Sequence, residues 1–288
     1  MNDIVTRFAP SPSGYLHLGH AASAAKAFGY AREHDGICLL RIEDIDTTRC
    51  KPEFERAIYE DLAWLGFKWP SPVRRQTDHL ADYGAVLDKL RDIGLVYRCF
   101  KTRKEILNDI ARAPHYSGEP YTGPHEPMDA GLEQELVAEG KPYAWRLSLY
   151  RAQEHLGRQY NRLAFTDNGE KIRAVPAVLG DVVLARKDVG TSYHIACCHD
   201  DALQGVTDIV RGVDLLESTH IHRLLQELMG WPVPCHHHHA LLTDAAGKRY
   251  AKRDKSLTLR ALRQSGATPD NIHENIQANI LAQAQELG

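Results

Sequence analysis

Two histidines three residues apart, His17 and His20, flank Gly19 just after a turn built from Pro10, Pro12, Ser13 and Gly14. Prolines and a serine-glycine pair forbid helix through that turn, so a chain arriving from the apolar strand-like opening (Ile4, Val5) must loop before the alanine-rich run over 21–32 winds into a helix. Such a path aims backbone N–H groups and the positive end of a helix dipole at one spot, which suits a phosphate. The two imidazoles are further donors to phosphate oxygens, and Gly19 permits close backbone approach. The competing reading is a pair of surface histidines at a helix start; the proline turn weighs against it.

A second group of chemistry-bearing residues closes the next element. The run ICLLRI over 37–42 is nearly continuous in apolar residues, as a parallel strand buried on both faces is, and it ends in Glu43 and Asp44. With a strand over 4–8 and a helix over 20–34 before it, this makes a βαβ unit. Ligands in open α/β sheets lie outside the carboxyl ends of the strands, so the loop after Phe8 and these acids face one crevice, where an acid holds an ammonium group. Helix capping is the alternative for Asp44 and Asp46. Two amphipathic helices follow, over 52–66 with Pro52 at its first position and over 79–94, each closing on glycine; they pack on the sheet.

Composition bounds the rest. A chain of 288 residues, 43% of them apolar, suffices for one large or two ordinary domains with a real core. No apolar run approaches the roughly 20 residues of a membrane span, and the start has no basic segment followed by an apolar one, so a cytoplasmic location without membrane association is expected; a monomer is expected as well, though no residue pattern speaks to it. The six cysteines are scattered, which predicts buried thiols in place of a disulfide framework. A net charge of −3 argues against a generic nucleic-acid coat but leaves room for one basic face.

Farther along, the pattern reads as a strand over 97–100, a helix over 102–113, a proline- and glycine-rich loop over 114–131, a strand over 143–149 and a polar stretch through 162. Residues 180–201 return to parallel-sheet character, with Tyr193 as a half-buried strand aromatic. Arg211, at a strand end, reads by itself as an exposed salt-bridge former. A helix over 215–229 precedes His236, His237, His238 and His239; neighbouring strand side chains alternate faces, so these four cannot converge on one ion. A basic loop over 247–254 and helices over 256–264 and 268–287 complete the chain, the last opening with Thr268 and Pro269 as cap and first position.

The stretch TRFAPSPSGYLHLGHA resembles the first motif of the class I aminoacyl-tRNA synthetases, whose HIGH tetrad appears as His17-Leu18-Gly19-His20, and specifically that of the glutamate-activating branch. LRIEDIDTTR over 40–49 resembles the second block of that branch, GDVVLARKDVGTSYHIACCHDD over 180–201 its return into the nucleotide-binding fold, and IVRGVDL over 209–215 the block that carries an arginine. The resemblance implies an α/β fold: a Rossmann-type doubly wound parallel sheet with an inserted connective subdomain and a short helical C-terminal region. The expected division is 1–95 and 179–235 for the two halves of the nucleotide-binding domain, 96–178 for the insertion and 236–288 for the basic-loop and helical region, with no anticodon-binding domain.

The resemblance also implies roles. Glutamate contacts fall to Arg7, Phe8, Ala9, Pro10, Ser11, Glu43, Tyr193 and Arg211, and ATP contacts to His17, Gly19, His20 and Lys252, with His17, His20 and Lys252 catalytic. Lys252 lies in a degenerate form of the family's mobile KMSKS-type loop, where the bland alternative is a solvated turn. The family's zinc site is degenerate too. Its remnant positions are Cys99, Lys101, Tyr121 and His125, and because lysine is a poor ligand at neutral pH, zinc is expected to be absent. ATP with Mg²⁺ is the expected co-substrate. The missing anticodon-reading region makes the chain similar to the glutamyl-Q tRNA(Asp) synthetase family, which attaches glutamate to queuosine at the wobble position of tRNA(Asp). A minimal glutamyl-tRNA synthetase charging the tRNA 3′ end and a non-catalytic glutamate- or AMP-binding regulator are the alternatives.

Overall fold

The structure is a computed structural model that describes residues 4–106, 120–186, 189–242 and 258–286. In chain order its strands are β1 (Val5–Phe8), β2 (Ile37–Ile42), β3 (Arg74–Arg75), β4 (Val96–Cys99), β5 (Ala144–Leu147), β6 (Ala164–Asp167), β7 (Glu170–Arg173), β8 (Val183–Arg186), β9 (Asp208–Gly212) and β10 (Cys235–His239). Its α-helices are α1 (Leu18–Glu33), α2 (Pro52–Trp64), α3 (Leu80–Asp92), α4 (Ala130–Ala138), α5 (Leu149–Leu156), α6 (Tyr193–Leu203), α7 (Leu216–Met229), α8 (Leu259–Gln264) and α9 (Pro269–Glu286). The chain divides into two compact units, one made of Met1–Asp78, Gly205–Leu215 and Pro234–Gly288, the other of His79–Gln204 and Leu216–Val233.

The first unit is built on parallel strands. Val5 to Phe8 pair in register with Ile37 to Leu40, Arg41 pairs Arg74, and β10 lies parallel to β9 with Cys235 opposite Asp208. β9 runs beside β1, and the Thr207 N–H donates to the Val5 carbonyl at 2.9 Å, so the two strands start together and run the same way. The strands thus lie side by side in the order β3-β2-β1-β9-β10, with β1 to β3 in one hydrogen-bonded sheet and β9 and β10 in another, and chain order reverses between β1 and β9. This is the doubly wound arrangement expected from the sequence. A crevice opens at such a reversal, outside the carboxyl ends of the two strands.

Small residues let α1 lie close on that sheet: Ala21, Ala24, Ala27 and Ala31 are all buried, and the Thr6 hydroxyl donates to the Ala27 carbonyl at 3.0 Å. Leu40 and Ile42 of β2 share their core with Ile58 and Leu62 of α2 and with Leu259, Ile272 and Ile276 of the last two helices. At ~25 cal/mol per Å² of apolar area, each such side chain contributes about 2 kcal/mol. Pro52 opens α2 as its first helical residue, and Gly66 ends it with a left-handed φ of 82° that a side chain would strain.

The second unit is organised differently. β4, β5 and β8 form an antiparallel sheet, β6 and β7 a hairpin whose Asn168-Gly169 turn has both φ angles positive (49° and 84°), and α6 packs on α3 and α7. The region 180–201 is thus not a return of parallel strands: β8 pairs antiparallel to β5, and Tyr193 opens a helix. The apolar run Ile195 to Cys198 is continuous because α6 is buried there, and a short buried helix is indistinguishable from a buried strand by pattern alone. The loop expected to reach residue 131 ends earlier, at Asp129, which caps α4 by accepting the Leu132 N–H. The polar stretch before 162 is α5 followed by a 3₁₀ turn over Gly157–Arg162. The helix expected over 102–113 is seen over 103–106, and the rest of that expectation lies outside the described residues. All six cysteines are thiols, four of them buried. Among the described residues no helix is long and apolar enough to cross a membrane.

Candidate functional site

In the first unit the loop between β1 and α1 is held by three backbone bonds. Glu43 N–H donates to the Pro10 carbonyl (3.1 Å), Lys51 N–H to Pro12 (3.0 Å) and Leu259 N–H to Leu16 (2.8 Å), so the exits of β1 and β2 and the start of α8 meet around it. Ser11 sits with its hydroxyl 3.5 Å from the Cys50 sulfur. Phe8 buries its ring in the core, leaving its backbone to line the loop with Ala9 and Pro10.

The helix begins two residues earlier than expected, at Leu18, and His17 is its cap. His17 Nδ1 accepts the Gly19 N–H (3.1 Å), His20 Nδ1 accepts the His17 N–H (3.2 Å), and the His17 carbonyl takes the N–H groups of His20 and Ala21 (2.9 and 3.1 Å). The expected cradle of first-turn amides is reduced accordingly, because the N–H groups of Gly19, His20 and Ala21 are taken up by His17. Its replacement lies in the rings. A neutral imidazole that accepts at Nδ1 carries its proton at Nε2, so the reciprocal cap sets both rings, 3.9 Å apart between centroids, as Nε2–H donors.

At the end of β2, Arg41 and Glu43 share a strand face, and the guanidinium lies 3.3 Å from the Glu43 carboxylate. Arg41 is fully buried, and sequence reading passed over it, although its two-residue offset from Glu43 was a usable signal. Asp44 takes its alternative role: it accepts the Thr77 N–H (2.9 Å) and hydroxyl (2.6 Å) at the start of a 3₁₀ turn and pairs with Arg75 at 2.8 Å. Asp46 accepts from Thr48 and Arg49, both at 2.6 Å, and these bonds hold its carboxyl below the usual range.

Arg211 lies near the end of β9 at 5% exposure, which excludes the exposed salt-bridge reading. Its Nε donates to His238 Nε2 at 3.1 Å and its Nη2 to the Leu215 carbonyl at 3.1 Å. His238 faces Arg211 directly in the parallel register of β9 and β10. The four histidines do alternate as a strand requires, with His236 and His238 buried. Orienting Arg211 is the task of one of them that sequence alone did not reveal, since parallel register is invisible in a single chain.

Arg7, Glu43, Arg211 and the histidine cap thus all belong to the first unit, at the carboxyl ends of β1, β2 and β9. Tyr193 belongs to the second unit, as the first residue of α6 after Ser192. Its ring lies 5.4 Å from that of His222, whose Nε2 is 3.2 Å from His194 Nδ1. The zinc remnants, also in that unit, are three neighbours and one residue with a different ring partner. Cys99 Sγ is 4.0 Å from the Tyr121 hydroxyl and Lys101 acts on the same phenol, while His125 stacks on Tyr150 at 4.1 Å. Burial raises the Tyr121 phenol, and Lys101 contributes a cation where a metal needs a donor. Among the described residues, no three histidine, cysteine or acidic side chains are grouped to hold a metal. Lys252 and the basic loop lie outside the described residues.

Comparison with known proteins concerns the chain as a whole. The family profile for the catalytic domain of class I tRNA synthetases (E and Q) matches residues 3–278. A glutamyl-Q tRNA(Asp) synthetase of Rhodobacter capsulatus is 45% identical over 286 residues, covering 95% of this chain and 99% of the relative. One from Nitratidesulfovibrio vulgaris is 39% identical, covering 92% and 83%. The crystal structure of a glutamate-tRNA synthetase from Elizabethkingia anophelis superposes with a TM-score of 0.71 at 28% identity, over 88% of this chain and 54% of that one.

Proposed function

The chain belongs to the family of class I glutamate and glutamine tRNA synthetase catalytic domains, and on that premise we propose that it is a ligase that activates L-glutamate with ATP and transfers it to the queuosine base of tRNA(Asp). The observation that carries this reading is the match along 99% of the Rhodobacter capsulatus glutamyl-Q tRNA(Asp) synthetase. In the first step a glutamate α-carboxylate oxygen bonds to the α-phosphorus of ATP as the bond to pyrophosphate breaks, giving a mixed anhydride. Positioning and charge stabilisation dominate such a transfer. The Nε2–H groups of His17 and His20 donate to phosphate oxygens, Gly19 lets the nucleotide come close, and Lys252 screens the departing pyrophosphate. Mg²⁺ arrives with ATP as part of the substrate, and zinc has no part in this reading.

Arg7 and Arg211 take the two carboxylates of glutamate, and Glu43 and Tyr193 the ammonium group. Two buried guanidiniums at adjacent strand ends support this assignment, as does the loop of Phe8, Ala9, Pro10 and Ser11 beside them. In the second step a queuosine hydroxyl attacks the anhydride carbonyl, an ester forms and AMP leaves. The protein works as a cytoplasmic monomer.

Exchange of labelled pyrophosphate into ATP should require glutamate and no tRNA. Mass spectrometry of RNA incubated with glutamate and ATP should then find glutamate on tRNA(Asp) only when queuosine is present. A second reading rests on a Gluconobacter oxydans glutamate-tRNA ligase that is 39% identical over 271 residues; it predicts charging of the terminal ribose of tRNA(Glu) and no modified queuosine. Retained glutamate or AMP binding without exchange would make the protein a regulator.

A further inference from the structure

We infer that Tyr15 and Arg260 form a clamp that positions the histidine cap for adenylate formation, which makes Arg260 a positioning residue for His17 and His20; the inference rests on the proposed glutamate activation. Three consecutive residues of the C-terminal segment grip three consecutive residues of the loop in antiparallel register. Thr258 bridges His17, Leu259 N–H donates to the Leu16 carbonyl at 2.8 Å, and Arg260 Nη1 donates to the Tyr15 hydroxyl at 2.7 Å with its guanidinium carbon 5.0 Å from the ring centroid. Both sides of the clamp are braced. The Tyr15 ring meets the Phe54 ring edge-on at 4.9 Å, the Thr258 hydroxyl caps α8 by accepting the Ala261 N–H, and Arg263, three residues beyond Arg260, pairs with Glu60 of α2 at 3.1 Å.

The three contacts differ in kind. Leu16 and Leu259 are 1% and 0% exposed and hold the two segments together, but apolar contact is non-directional. The polar contact at Tyr15 fixes the rotation of the loop two residues before the cap. A turn of the loop there swings His17 Nδ1 off the Gly19 N–H and carries its Nε2–H away with it. Misplacing a reacting group by about 1 Å costs on the order of a hundredfold in rate, whereas a half-buried hydrogen bond contributes only about 1 kcal/mol to stability. The clamp therefore acts on rate far more than on folding.

The test is glutamate-dependent pyrophosphate exchange by Tyr15→Phe, Arg260→Met, the double variant and Arg260→Lys. Each of the first two should lower kcat about tenfold while leaving the KM for glutamate and the melting temperature nearly unchanged, and the double variant should be no worse than the weaker single. Arg260→Lys, which restores a donor, should recover part of the loss. A wild-type kcat in Arg260→Met, losses that multiply in the double variant, or a loss seen only in KM or melting temperature overturns the clamp. If the unaltered protein shows no exchange, the proposed function falls. Nitrogen NMR of the imidazoles then still decides the clamp: His17 and His20 should show the Nε2–H tautomer, weakened in Arg260→Met, and an unchanged spectrum overturns it.

Discussion

His17 performs two tasks with one ring, and two substitutions separate them. Its Nδ1 takes the Gly19 N–H at 3.1 Å as a helix cap, while its Nε2–H is the proposed donor to phosphate. Asparagine keeps a cap acceptor and loses the remote donor; alanine loses both. Removing a side-chain cap costs about 1 kcal/mol, which for a chain of this size lowers the melting temperature by about 2–4 °C. Removing one preplaced donor to a developing oxyanion costs about 3 kcal/mol, or on the order of a hundredfold in kcat. His17→Ala should therefore melt lower and react about a hundredfold more slowly, whereas His17→Asn should melt like the unaltered protein and react as slowly as the alanine variant. Melting curves and pyrophosphate exchange on the same preparations read both quantities. Full activity in His17→Asn would refute the reasoning, because it would reduce the histidine to a cap.

Three further outcomes follow from buried groups. The carboxylate of Asp181 accepts from the Tyr97 hydroxyl (2.9 Å), Gly123 N–H (2.8 Å) and Leu149 N–H (3.0 Å), so Asp181→Ala should cost about 3–5 kcal/mol in denaturant unfolding; Asp181→Asn, which sets an NH₂ against a donor, should cost about 1–3, and equal losses would contradict the bookkeeping. Burial raises Asp61 from 3.8 to about 6, with Arg263 at 3.4 Å opposing the rise only in part. Ionisation thus disfavours the folded state: the stability present below pH 4 is lost as the pH climbs through about 6, and Asp61→Asn should flatten unfolding free energy over that window. A Cβ on Gly212 would lie 2.5 Å from an Asp214 carboxylate oxygen and 2.6 Å from Leu241, so Gly212→Ala should shift the adjacent Arg211 and raise the KM for glutamate more than it lowers kcat; an unchanged KM would disconnect Arg211 from glutamate.

Much of the first unit was legible because its signals are local. Two prolines break the chain before α1, an uninterrupted apolar run marks β2, and Pro52 and Gly66 bracket α2 within a few residues of where they act. The site was legible by type more than by geometry. Nothing in the letters shows that His17 and His20 cap each other, that Asp44 is committed to Thr77 thirty-three residues away, or that His238 steers Arg211, since each depends on partners brought in by the fold. The second unit was harder for the same reason. Its strands pair antiparallel across long separations, α4 buries none of its side chains and so prints no apolar stripe, and α6 reads as a strand because it is buried all along one stretch.

The reversal of strand order between β1 and β9 also has a temporal side. Val5 finds Thr207 only across a sequence separation of 202 residues, so β1 leaves the ribosome long before its neighbour exists. At about 5–20 residues per second that wait is roughly 10–40 s, during which one side of β1 is an unpaired edge. Such non-local pairing slows folding, and it leaves the nascent chain dependent on α1, β2 and their alanine-rich interface to stay compact. Any substitution that loosens the Ala21, Ala24, Ala27 face should therefore reduce the yield of folded protein in growing cells more than it reduces the stability of the finished molecule.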